Sequence, residues 1–125
     1  MKAQDVREAI MRQTETELDM MIPRAIQYGA ADLKVMGGAM LQLLSPEAFD
    51  KISQASDNDI FAHGQLMAVA FYELGKVARA FGSLMQGELP APDTAFDGRI
   101  YWIMFDTIIR TGEWRVEPDE SLAGD

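Results

Sequence analysis

The chain has no cysteine. That excludes a disulfide framework, thiol chemistry and a cysteine-based zinc site. A single histidine, His63, excludes a histidine-cluster metal centre. Any metal would be held by carboxylates, which suits Mg²⁺ or Mn²⁺. Basic residues are scarce, with 11 Lys and Arg against 20 Asp and Glu and a net charge of -9. So acidic a chain is a poor binder of nucleic-acid backbone, because counterion release needs a basic surface. A free nucleotide needs only a local basic pocket and stays open as a ligand. No apolar run approaches the ~18 residues of a membrane span. Met1-Lys2-Ala3-Gln4-Asp5 leads into no apolar signal core. No membrane association and a cytoplasmic location are therefore expected. Strand alternation, internal repeats and low-complexity segments are also missing.

What remains is helical periodicity, so the expected class is all-α, a helical bundle in one domain over 1–114. Val6, Ile10, Met11, Thr14, Leu18 and Met21 give a first helix over 5–21, interrupted by Pro23. Glu15, Glu17 and Asp19 on it form an acidic cluster, read as a solvated face. Pro23 suits the first turn of a second helix running to Leu44. Gly29, Gly37 and Gly38 weaken that helix by about 1 kcal/mol each relative to Ala. A kink or a close helix contact is expected at Tyr28-Gly29 or Gly37-Gly38. Ser45-Pro46 starts a short third helix ending near Ala55. Two long helices follow, joined by Leu89-Pro90-Ala91-Pro92, and so short a connection packs them antiparallel. Gly112 ends the last helix as a left-handed cap. Residues 115–125 read as an acidic tail, with Trp114 and Val116 able to dock back on the bundle and disorder expected beyond Glu117.

The two long helices carry the chemistry. At about 100° per residue, Asp93, Asp97, Ile100, Tyr101, Met104, Thr107 and Ile108 share one side of the last helix. Arg99, Asp106 and Arg110 face the opposite way, toward water. Two carboxylates thus head an apolar stripe, and an unpaired buried carboxylate is costly. Asp93 reads equally as an N-cap and as a site residue. Asp97, one turn further in, reads as functional. On the preceding helix Met67, Ala70, Phe71, Leu74, Val77, Ala78, Phe81 and Met85 form an apolar stripe. Tyr72, Lys76 and Arg79 lie nearly opposite, with Val69 and Glu73 at the flank. That second face is either a solvated surface or the wall of a cleft in which Lys76 and Arg79 reach phosphates. Val69, apolar and off the stripe, favours a cover over it.

At these residues the chain resembles the all-α nucleoside-triphosphate pyrophosphohydrolases of the MazG type. Leu74-Gly75 lies in an amphipathic helix, followed by a break and a second helix with an inward Asp. Tyr28-Gly29, Lys76-x-x-Arg79 and Asp93-Thr94-x-x-Asp97-x-x-x-Tyr101 are similar to small phage-encoded MazG-like or nucleotide-modification-associated proteins. So are the Gly-Glu-Leu-Pro turn and the Thr-Gly-Glu-Trp end. The resemblance covers roughly 24–114. It implies a homodimer or higher homo-oligomer and a Mg²⁺ held by Glu73, Asp93 and Asp97, the catalytic acids. It also implies phosphates on Lys76 and Arg79, and base or sugar against Tyr28, Tyr72 or Tyr101. The chain departs from the family pattern in having Lys76 where a metal-binding Glu stands and Thr94 where another does. An ammonium there repels Mg²⁺ and attracts phosphate oxygens. The resemblance therefore implies either a pyrophosphohydrolase or a derivative that binds nucleotides without cutting them. The charge of -9 supports an alternative: an acidic helical protein that inhibits a host factor by binding it.

Overall fold

The computed structural model describes residues 1–28, 31–55, 57–117 and 119, leaving out the side chains of 27, 28, 31, 57 and 58. The described residues form five helices and no strand, so the all-α class holds. They are α1 (Ala3–Tyr28), α2 (Ala31–Leu41), α3 (Pro46–Ser53), α4 (Asp57–Met85) and α5 (Pro92–Thr111). No helix is long and apolar enough to cross a membrane among the described residues. Packing divides the chain into two compact units, Met1–Gly29 with Arg115–Asp125, and Ala30–Trp114.

In the first unit, α1 differs from expectation by continuing through Pro23. Pro23 lacks the amide that would bond the Asp19 carbonyl, and it crowds the turn before it. The helical bonds on both sides keep the helix continuous. Side chains reinforce it one turn apart. The Gln4 amide donates to Glu8 at 3.0 Å and the Thr14 hydroxyl to the Ile10 carbonyl at 2.8 Å. Glu17 is buried rather than solvated, and it accepts a hydrogen bond from the Gln13 amide at 3.0 Å. That hydrogen bond offsets part of the desolvation cost of burial. Glu15 and Asp19 are exposed, as expected. After Trp114 the chain carries an exposed Arg115–Glu117 ion pair at 3.0 Å. The expected kink at Tyr28-Gly29 and the expected disorder of the acidic end fall outside the described residues.

In the second unit α4 is the central element. α2 packs against it near Gly64, α5 packs along it, and α3 makes a lesser contact. The α2–α4 crossing is glycine on glycine. A Cβ on Gly37 would stand 2.9 Å from the Gly64 carbonyl carbon and the Gln65 nitrogen, and one on Gly64 would stand 2.7 Å from the Gly37 oxygen. Gly37 is thus the close contact expected in that stretch, whereas Gly38 meets nothing within 4 Å. Ala68, Val69, Ile108 and Leu33 are the buried apolar residues of this unit, with Trp114 at its end. Burying residues the size of Val69 and Ile108 contributes about 1.5–3 kcal/mol each.

The helix ends follow local chemistry. Ser45 caps α3 by accepting from the Ala48 amide at 3.2 Å, and Pro46 takes the first position. Gly112, at φ 90°, closes α5 with its amide on the Ile108 carbonyl at 2.8 Å. Trp114 then docks: its amide donates to Gln65 Oε1 at 3.2 Å, while Gln65 Nε2 donates to the Phe61 carbonyl at 3.3 Å. Asp93 is not an N-cap. Ala91 holds that position without a side-chain hydrogen bond, Pro92 follows, and Asp93 sits in the first turn, where the helix dipole favours an acid.

The face that α4 presents to α5 is the main departure from the sequence reading. The stripe read as its apolar side points outward, with Phe71 56%, Leu74 64%, Val77 56%, Phe81 63% and Met85 73% exposed. The buried side carries Gln65, Ala68, Val69 and Glu73, with Tyr72 and Lys76 half-buried beside them. The reason lies on α5, which offers Asp97 to Lys76 and a bare glycine, Gly98, to Glu73.

Candidate functional site

The site forms where α4 and α5 meet. Lys76 Nζ stands 2.8 Å from Asp97 Oδ2, with the two side chains 20% and 30% exposed. A half-buried pair of this kind is screened less than a surface pair. The hydrogen bond to Asp97 holds the Lys76 ammonium above its ordinary pKa, opposed by burial and by Arg79 and aided by the charge of Asp97. Asp97 is therefore a partnered acid, one turn inside α5 on its inward face.

Tyr72 and Tyr101 bring their rings together from the two helices, centroids 5.7 Å apart and planes tilted by 31°. Phe71 meets Tyr72 edge to face at 6.4 Å. Burial raises the Tyr101 phenol above its usual pKa, with Lys76 pulling it down and Asp97, Tyr72 and Glu73 pushing it up. The same four groups thus surround one phenol.

Glu73 lies deepest, 9% exposed, and its Oε2 has no hydrogen-bond partner. Burial alone raises its pKa, because a charged carboxylate loses its water and receives nothing in return. Gly98 makes room for it: a Cβ there would stand 3.1 Å from Glu73 Oε1.

Two adjoining cavities share Lys76 and Arg79. One, of about 350 Å³, is walled by Phe71, Tyr72, Leu74, Gly75, Ala78 and Tyr101. The other, of about 470 Å³, is walled by Gly82, Ser83, Gln86, Ala91, Asp93 and Thr94 at the start of α5. Arg79 is exposed and forms no ion pair among the described residues, so its guanidinium is free for a ligand. The arrangement joins an aromatic wall to a polar wall, with two cations between them.

Of the residues singled out in the sequence, Lys76, Arg79, Tyr72, Tyr101, Glu73 and Asp97 come together. Asp93 lies on the wall of the second cavity, and the side chain of Tyr28 falls outside the described residues. No three His, Asp or Glu side chains among the described residues are grouped so as to hold a metal ion. Mg²⁺ wants several oxygens at about 2.0–2.1 Å. Here Asp97 faces an ammonium, Asp93 faces another cavity and Glu73 is buried. These residues, as placed, do not make one shell for it.

Sequence reasoning missed Ser83, Gln86, Phe71 and Gly98. Ser83 and Gln86 were within reach, since Lys76, Arg79, Ser83 and Gln86 follow a three-four-three helical spacing. Phe71 belongs to the apolar stripe, and nothing in the sequence marks Gly98 as the seat of a carboxyl on another helix. No family model matches the chain, and no curated protein and no solved structure matches it. The likeness to MazG-type proteins therefore stands on the short motifs alone.

Proposed function

We propose that this chain binds a nucleotide, or a small molecule of the same build, across the α4–α5 face. One observation carries the reading: Lys76 and Arg79 stand between a cavity walled by Tyr72 and Tyr101 and one walled by Ser83, Gln86 and Thr94. Phosphate oxygens suit the cationic and polar side, where Arg79 supplies a planar donor fork. A base or sugar suits the tyrosine side. Lys76 acts as a phosphate ligand that Asp97 holds in place. The protein is then a non-catalytic member of the MazG-like kind, with a cytoplasmic role, in the host if the chain is phage-encoded.

Calorimetric titration with nucleoside triphosphates, with and without a chelator, tests this. Binding is expected to survive the chelator, and Arg79→Ala is expected to weaken it about 10- to 100-fold, the worth of a charged hydrogen bond. Equal affinity in that variant would remove Arg79 from the site.

A pyrophosphohydrolase is the second reading, favoured by the buried, unpartnered oxygen of Glu73. It requires Asp97 to exchange Lys76 for a cation, with Glu73 and Asp93 joining it, and it predicts that Asp97→Asn abolishes turnover. Should no nucleotide bind, the acidic chain returns to the alternative of an inhibitor of a host protein.

A further inference from the structure

The outward face of α4 follows a stricter pattern than amphipathicity demands. Met67, Phe71, Leu74, Ala78, Phe81 and Met85 recur at intervals of four, three, four, three and four. That is the a/d spacing of a coiled-coil seam. Phe71, Leu74, Phe81 and Met85 are each more than half exposed. The seam carries no charge: Glu73, Lys76 and Arg79 all lie off it, toward α5 or the cavities. Beside it run Gly75 and Gly82, one heptad apart, and a Cβ on either would meet nothing within 4 Å. Neither glycine serves the packing of its own chain, although each costs about 1 kcal/mol of helix stability relative to Ala.

The geometry points to a second copy of this chain as the occupant of that face, with the two α4 helices antiparallel. The face is self-complementary in its spacing. A two-fold axis at the level of Lys76 sets Phe71 of each copy in one layer with Phe81 of the other. It sets Leu74 with Ala78, and Met67 with Met85. Leu74 then meets the small Ala78, the flexible methionines meet each other, and the phenylalanines pair ring against ring; the pattern reads the same from both ends, as an isologous interface requires. A parallel pair would instead set Ala78 on Ala78 between layers of Leu74 and Phe81 and leave a gap. Gly75 and Gly82 give the two backbones room to approach.

The seam and the site share a wall. Phe71, Leu74, Gly75 and Ala78 line the tyrosine cavity and also form or flank the seam. Such a two-fold axis, perpendicular to the helix pair, keeps both cavities on the same side of the seam. The second copy therefore supplies the wall that this cavity lacks, and the two tyrosine cavities meet near Gly75. The seam stands without the nucleotide reading; only the completion of the site rests on it.

The absence of cysteine from the chain makes the register testable by crosslinking. Leu74→Cys and Ala78→Cys are made separately in the full-length protein, and both positions are exposed. The expected result is that an equimolar mixture, mildly oxidised at micromolar concentration, gives a disulfide-linked dimer severalfold faster than either variant alone. Sedimentation of the unmodified protein is expected to give a dimer, and Leu74→Glu with Phe81→Glu a monomer of unchanged helix content. A monomeric parent protein overturns the proposal. Faster linking of Leu74→Cys to itself overturns the antiparallel register. None of these readouts involves nucleotide, so a failure of the ligand reading leaves them intact, and the reverse also holds.

Discussion

Glu73 is the residue that most needs explaining. A carboxyl only 9% exposed with one unpartnered oxygen is a cost to the fold, and burial is what raises its pKa. A raised acid has a definite linkage sign. Its contribution to stability is fully present below the ordinary value of 4.5 and is lost as pH rises through the raised value. Glu73→Gln keeps the shape and removes the charge. At pH 7 the variant should be more stable than the parent by about 1 kcal/mol, with the gap closing near pH 4. Urea midpoints at the two pH values check this, and a gap independent of pH would mean the carboxylate has a partner. Helical spacing put Asp97 on an inward face but left Glu73 only at the flank of a stripe, and it was the resemblance to MazG-type proteins that singled Glu73 out. Neither could show that Lys76 would satisfy Asp97 or that Gly98 would admit Glu73. Those outcomes depend on the azimuth of one helix against another, which spacing within a single helix does not set.

At the scale of elements, boundaries with local chemistry were legible and faces were not. Ser45-Pro46, the Pro-rich break and Gly112 each act within a few residues, so the sequence placed them. Pro23 signals a break on local chemistry alone, whereas the helical turns on either side carry α1 through it. The apolar stripe of α4 looks in the sequence like the packed side of the helix, because an inward stripe and an outward one are not distinguished by spacing. Both are apolar at the same period. The α2–α4 crossing makes the sharpest prediction at this scale. Gly37→Ala should gain helix propensity and still lose stability, by about 1–3 kcal/mol, because its Cβ meets the backbone of α4 at 2.9 Å. Gly38→Ala, one residue away with open space around it, should be stabilising by up to about 1 kcal/mol. Thermal denaturation of the pair decides it. Equal effects at both positions would mean the helices are not in glycine contact.

For the whole molecule, charge and apolar surface divide the labour. An excess of acid, -9 in all, leaves few cations, and two of them stand together at the α4–α5 site. The exposed apolar surface of α4 borders that site. The most direct test of the account is to incubate the purified protein with pooled ribo-, deoxyribo- and cyclic nucleotides and Mg²⁺. The solution, and whatever the washed and denatured protein releases, are then analysed by mass spectrometry. An intact nucleotide released from the protein, and lost from the Arg79→Ala variant, is the predicted result. A protein that releases no nucleotide and leaves the pool unchanged would contradict it.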